Sequence, residues 1–199
     1  MGCHSERTAN SSVAGHRRDA FMELFLSPNG RIDQPTYWRA VLILFGISAA
    51  LNVVSAFVSP FLGFAGILFI WPWIAVHVKR FHDSGKTGWL VLAVIVLAFI
   101  LSWVLGLVLP GLFGVDQAAL QAEMQREIEQ AAASGNPAAA MTVAMEATRD
   151  MSQRMLLPGL IQGVIMTGLI GVFMGAINKT DPNDNQYGPG PAGASSTFV

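Results

Sequence analysis

Residues Ala40–Val76 read AVLILFGISAALNVVSAFVSPFLGFAGILFIWPWIAV, 37 consecutive positions with no charged side chain and no histidine. As one straight helix they would measure about 55 Å at 1.5 Å per residue, whereas the hydrocarbon core of a bilayer is about 30 Å thick. The run must therefore turn back on itself. Ser59-Pro60 is the expected place, because proline lacks the amide donor and pushes the residue before it out of the helical region. The stretch thus holds two membrane spans, at about 38–59 and 61–78.

Two further charge-poor stretches follow. One starts after Lys86 and continues to Val115, and Pro110-Gly111 is its expected stop, which gives a third span at about 88–109. The other lies between Arg154 and Lys179 and gives a fourth at about 156–177. Each is near the roughly 20 residues that a spanning helix needs, and none alternates polar and apolar residues as barrel strands do. Composition agrees: of 199 residues 52% are hydrophobic and 13% charged, with a mean hydropathy of +0.47. Soluble domains carry about 25% charged residues, so the solvent of this chain is largely the lipid bilayer. With 12 Lys plus Arg against 13 Asp plus Glu, a strongly basic nucleic-acid binder is excluded. The single Cys3 excludes an internal disulfide, a cysteine zinc site and a CxxC redox pair, and leaves the redox compartment unread.

An even number of spans puts both termini on one side, and the Lys/Arg distribution selects which. The turn at Ser59-Pro60 is uncharged, while Arg31, Arg39, Lys79, Arg80, Lys86 and Lys179 flank the other span ends. The connection from Pro110 to Met155 carries Arg126, Arg149 and Arg154 against Asp116, Glu123, Glu127, Glu129, Glu146 and Asp150. Both termini are therefore expected in the cytoplasm and the long connection outside. Tyr37, Trp38 and Trp89 then lie at the inner interface, where amphipathic rings prefer the headgroup level. Residues 1–23 form a polar tail without the apolar core of a signal peptide, read as disordered, as is the tail 192–199. The opening Met-Gly-Cys-His-Ser-Glu has Glu6 where myristoylation wants Ser or Thr. Asn10-Ser11-Ser12 and Asn178-Lys179-Thr180 match the glycosylation pattern but fall on the cytoplasmic side and read as accidental.

Three motifs stand at the span ends on that face. They are Gly30-Arg31-Ile32 with Tyr37-Trp38; Lys79-Arg80-Phe81-His82-Asp83-Ser84-Gly85-Lys86-Thr87-Gly88-Trp89; and Asn185-Gln186-Tyr187-Gly188-Pro189. With them, the stretch from Leu24 to Pro191 resembles the domain of unknown function 805 family, bacterial inner-membrane proteins with about four spans. The ordered Arg-x-His-Asp-x-Gly-x-x-Gly-Trp string is the most specific part. The chain departs from that family at Lys79, Gln34 and Gln186, where arginine is usual, and in its long connection between spans three and four. The resemblance implies fold and membrane location; the family carries no established activity. It also implies that residues 1–21 precede the native start, because Met22 heads a sequence that looks like the family's beginning.

The topology brings Arg31, Tyr37, Lys79, Arg80, His82, Asp83, Lys86, Asn185 and Tyr187 into one cytoplasmic loop layer. Its best chemical candidates are His82 and Asp83, an adjacent imidazole and carboxylate that could share a proton or a metal. His77 lies five residues earlier, where helical zinc pairs favour four, and a metal would need ligands from Glu23, Asp33, Asp181 or Asp184. The structural reading of the same residues weighs more: Arg80 pairs with Asp83, Gly85 and Gly88 make the turn, and Trp89 anchors the third span. No cofactor and no metal site are expected. Gly85-Lys86-Thr87 is not a phosphate loop, since Arg80 stands where the first glycine is required. The basic cluster can hold an anionic lipid headgroup or merely set orientation.

No Asp, Glu, Lys or Arg is read inside the spans, Arg39 flanking the first, which argues against a pump or proton-coupled transporter. Asn52 and Gln162 read as interhelical hydrogen-bond partners. In the fourth span Gly159, Gly163, Thr167, Gly171 and Gly175 recur every fourth residue and lay one groove along a helix face. The Gly46/Ala50 face of the first span is the expected filling, and a second copy in a homo-oligomer is the alternative. The insertion 116–155 reads as a helical hairpin: Leu120, Met124 and Ile128 recur every fourth residue, and Asn136-Pro137 signals a second helix start. Met141, Met145, Thr148, Met151 and Met155 share one face, read as packing in preference to a thioether copper site.

The fold expected is all-α, a polytopic membrane protein with four transmembrane helices and an extracytoplasmic helical hairpin between spans three and four. The function expected is a non-enzymatic inner-membrane component that binds lipid or a partner membrane protein through its cytoplasmic loops. The alternatives are a membrane-bound enzyme or metal-binding protein using His82 and Asp83, and a small-solute channel or transporter component.

Overall fold

In hydrocarbon no water satisfies the backbone, so an apolar chain must close its own hydrogen bonds and becomes helix. The computed structural model describes residue 19, residues 21–133 and residues 135–190. The expectations for most of the N-terminal tail, for Cys3, for Asn10 and for 192–199 lie outside the described residues. Among the described residues four helices are long and apolar enough to cross a membrane: Gln34–Phe57, Pro60–Asp83, Gly88–Leu112 and Leu156–Ile177. We label α1 as Gln34–Phe57, α2 as Ile70–Asp83, α3 as Val91–Leu112, α4 as Gln117–Ala133, α5 as Pro137–Arg154 and α6 as Leu156–Ile177. The chain is all-α: the described residues contain no strand, only an isolated bridge between Asn185 and Gly188.

The fourth span has the bounds expected, and the other three differ for local reasons. α1 starts at Gln34 because Asp33 caps it, its carboxylate accepting from the Thr36 amide at 3.0 Å and its carbonyl from the Tyr37 amide at 2.9 Å. The chain breaks before Pro60 as read, but Pro60–Phe69 continues as a 3-10 helix. Proline at its head and two glycines within it lower its preference for the α form. α2 then runs to Asp83, past the expected end at Val78. Lys79, Arg80 and Asp83 are therefore helical and buried, where a charged loop was expected. Pro110 lies inside α3 and does not end it. The stop is Gly114, whose φ of +72° closes a capping motif: the Val115 amide reaches the Pro110 carbonyl at 2.9 Å and the Gly114 amide the Gly111 carbonyl at 3.1 Å. At the other end, residues 21–26 are helical where the tail was expected to continue to 23, and Phe21 packs on Phe25 with ring centroids 4.6 Å apart.

The chain divides into two compact units. The first comprises the described residues of Met1–Leu44, Ile70–Ala93 and Gly171–Val199, and buries Tyr37, Val76, Arg80, Phe81, Asp83, Met174 and Asn178. In it Gly171 lies against the Trp38 ring, and a Cβ on Gly175 would stand 3.0 Å from Gln34 Nε2.

The second unit comprises Phe45–Phe69 and Val94–Ile170. There a Cβ on Gly163 would stand 3.0 Å from Phe45 Cε2. Gln162 donates to the Ser102 carbonyl at 3.2 Å and hydroxyl at 2.8 Å, an interhelical pair as expected. Asn52 instead bonds the Ser48 carbonyl of its own helix at 2.8 Å, the nearest acceptor being one turn back. Within each unit the glycine groove of α6 takes large side chains of α1 from the same chain, not the Gly46/Ala50 face; nothing stands within 4 Å of a Cβ built on Gly46. A notch of small residues admits a ring where two notches would leave a void. α4 and α5 pack together with Leu120 and Ala147 buried, while Met141 and Met145 are exposed. The methionine face is thus not the hairpin's core. Asn136 caps α5 through the Ala138 amide at 3.0 Å and the Ala139 amide at 3.3 Å. Late in α5, Arg149 donates to the Phe57 carbonyl and Gln153 to the Ala56 carbonyl at 3.1 Å. They satisfy the last carbonyls of α1, which has no basic residue in its own final turn.

Candidate functional site

The last two turns of α2 carry the motif. Spacing of three residues puts Arg80 and Asp83 on one helix face, and both are buried, at 0% and 2% exposure. Burial of an acid and a base is tolerated only when both are paired and hydrogen-bonded. Here Asp83 Oδ2 accepts from Arg80 Nη1, and Oδ1 accepts from Arg31 Nε at 3.1 Å. The same two arginines hold the segment after α6. Arg31 donates to the carbonyls of Asp181 and, at 2.9 Å, Asn183; Arg80 donates to the Asn178 carbonyl and, at 3.1 Å, to Thr180 Oγ1. The Asp181 amide closes the ring by donating to the Asp83 carbonyl at 2.9 Å.

The turn after α2 is set by Gly85, with φ +70°. The Lys86 amide reaches the Phe81 carbonyl and the Gly85 amide the His82 carbonyl, each at 3.0 Å, the pattern that ends a helix on a left-handed residue. Gly88 is there for space, since a Cβ would stand 2.7 Å from Val78 Cγ1 and 3.0 Å from His82 Nε2. Beyond the turn, Lys86 donates to the Ile177 carbonyl and at 3.2 Å to Asn178 Oδ1, which also accepts from Ser84 at 3.1 Å. A cation thereby meets the C-terminal carbonyls of α6.

His82 points the other way along the layer. Its Nδ1 lies 3.1 Å from the Gly30 carbonyl, and because a carbonyl only accepts, Nδ1 carries the proton. Its ring stacks on Tyr187 with centroids 3.7 Å apart and planes within 4°. Asn185 fixes that stack: its Nδ2 donates to the His82 carbonyl at 3.1 Å, and its Oδ1 accepts from the Tyr187 amide at 2.9 Å.

The three motifs therefore meet in one clasp. Gly30, Arg31, Arg80, His82, Asp83, Gly85, Gly88, Asn185, Tyr187 and Gly188 come together, with Pro189 exposed beside them. The side chains of Tyr37, Trp38 and Trp89 share no hydrogen bond with those residues. Tyr37 bonds His77 Nε2 at 3.2 Å, Trp38 packs on Gly171, and Trp89 is 78% exposed. Lys79 donates to the Glu23 carbonyl and at 3.2 Å to that of Leu24. His82 and Asp83 share no hydrogen bond, and both carboxylate oxygens already serve arginines. Among the described residues no three His, Cys, Asp or Glu side chains gather to hold a metal ion.

Residues 25–189 match the sequence profile of a family described as a protein of unknown function, DUF805. The chain belongs to that family. No curated protein and no solved structure matches it.

In this DUF805 protein several members of the clasp carried no signal in the sequence. Thr180 and the carbonyls of Asn178, Asp181 and Asn183 act through position alone. Asn178 stood out only as a glycosylation match, yet it is fully buried and its Nδ2 lies 3.5 Å from Met174 Sδ; a polar residue directly after an apolar run was the available clue to a helix cap. The stack makes a direct expectation: Tyr187→Ala lowers unfolding stability by about 1 kcal/mol while Tyr187→Phe, which keeps the ring, changes it little, as read by denaturant titration in detergent.

Proposed function

We propose that the chain is a non-enzymatic component of the bacterial inner membrane, with its clasp and both termini on the cytoplasmic side, and that it binds an anionic lipid headgroup beside the clasp. One observation carries this reading. Asp83, on which catalytic or metal chemistry would depend, has both oxygens engaged by arginines, whereas a general base needs a lone pair aimed at substrate. His82 is held in turn by Gly30 and Tyr187. Arg39 and Lys179 are exposed and form no ion pair among the described residues. Cations flanking spans attract anionic lipid, and the exposed Trp89 suits the headgroup level. The Lys/Arg asymmetry of the connections supports the orientation.

The test is native mass spectrometry of the untagged protein extracted from its own membrane. The reading expects a phosphatidylglycerol-class adduct that Arg39→Gln with Lys179→Gln removes. A bare mass contradicts it and favours a partner membrane protein; an adduct that survives both substitutions contradicts it as well.

A further inference from the structure

The second unit holds a cavity of about 410 Å³ where the chain leaves α3 and enters α4, lined in part by Asp116, Leu120, Glu123 and Arg154. An adjoining cavity of about 470 Å³ shares Asp116 and extends to Leu107 and Pro110. Both volumes lie in the range of about 300–1,000 Å³ usual for small-molecule sites. Leu107 is 60% exposed on a helix apolar enough to span the bilayer, so the chamber, an open cleft whose charged residues Asp116, Glu123 and Arg154 are exposed, adjoins an exposed apolar strip.

The charges of the chamber are only partly used. Arg154 pairs with Asp150 through Nε at 2.7 Å, which leaves the two Nη groups as donors. Asp116 caps α4 with Oδ1, accepting from the Ala119 amide at 3.0 Å, and its second oxygen is uncommitted. Glu123 forms no ion pair among the described residues.

We propose that this chamber binds the headgroup of a phosphatidylethanolamine-class lipid. The phosphate lies on the Arg154 guanidinium, which suits it as a planar fork of donors. The primary ammonium lies between Asp116 and Glu123, and the acyl chains follow the exposed Leu107. Two carboxylates beside one cation disfavour a headgroup that carries only negative charge. A quaternary ammonium lacks the N–H donors those carboxylates accept. A soluble phosphoamine would leave the apolar strip uncovered. The site is in a different unit from the clasp and takes a different headgroup, so neither reading depends on the other.

The test reconstitutes the full chain in nanodiscs of equal phosphatidylethanolamine, phosphatidylcholine and phosphatidylglycerol, moves it to mild detergent and counts retained lipids by mass spectrometry. Phosphatidylethanolamine is expected at about five-fold over phosphatidylcholine, the size of one net hydrogen bond that the quaternary ammonium cannot make. Glu123→Gln is expected to bring the ratio toward one, and Arg154→Gln to lower retention of both lipids together, since both carry the phosphate, with helicity unchanged because these side chains are exposed. A ratio of one in the unsubstituted protein overturns the proposal, and so does an enrichment that Glu123→Gln leaves intact or a retention of both lipids that Arg154→Gln leaves unchanged. Should Arg154→Gln fail to fold, the unsubstituted ratio and Glu123→Gln decide. Phosphatidylglycerol held near Arg39 and Lys179 does not enter this ratio, so failure here is distinct from failure of the clasp-side reading.

Discussion

Asp83→Ala is expected to destabilise the protein by about 3–5 kcal/mol, the penalty for leaving buried partner charges without their counter-ion. Arg80 is wholly buried and Arg31 nearly so, and neither can turn to water without opening the layer. Asp83→Asn keeps the shape and one acceptor oxygen, so it falls between. Arg31→Gln is milder than Arg80→Gln, because Arg31 lies nearer solvent. Equilibrium unfolding in detergent, followed by helicity, gives these values. A change within about 0.5 kcal/mol for Asp83→Ala, the range of ordinary surface substitutions, would mean that the ion pairs do not hold the first unit together.

Gly171→Val is expected to be the most damaging change in the glycine groove, about 1–3 kcal/mol from overpacking, because a Cβ there overlaps the Trp38 ring. Gly159→Ala serves as the control: a Cβ at Gly159 meets nothing within 4 Å, and alanine favours helix over glycine by about 0.5–1 kcal/mol. Combining Gly171→Val with Trp38→Ala returns part of the loss, since the added methyls then enter the space the indole leaves. The same unfolding measurement decides. A Gly171→Val that is tolerated as well as Gly159→Ala would mean that Trp38 does not fill the groove.

The spans were legible because a bilayer imposes a length and forbids unpaired backbone, and a charge-free run of 37 residues satisfies few other arrangements. Their ends were less so. Pro110 reads as a stop, yet α3 continues through it to Leu112 at the cost of that residue's own amide bond, and the left-handed residue at Gly114 does the stopping. Lys79, Arg80 and Asp83 read as loop because buried charge is rare; their partners are carbonyls and a carboxylate drawn from distant positions, which spacing along the chain does not announce. The Arg80–Asp83 pair was visible at its spacing of three, and the meeting of the motifs followed from topology. The saturation of Asp83 by Arg31 was not visible, and it is what turns a His-Asp candidate into a clasp. Met141 and Met145 shared a face as read, but shared faces do not say which face is covered.

Amide hydrogen exchange of residues 178–190 in the unsubstituted protein and in Asp83→Asn tests the clasp most directly. The amides of Asp181, Tyr187, Gly188 and Gly190 all have acceptors, so the account predicts slow exchange there and a collective acceleration once the carboxylate charge is gone. Rates in this segment that are fast in both proteins, or the same in both, would contradict a clasp centred on Asp83.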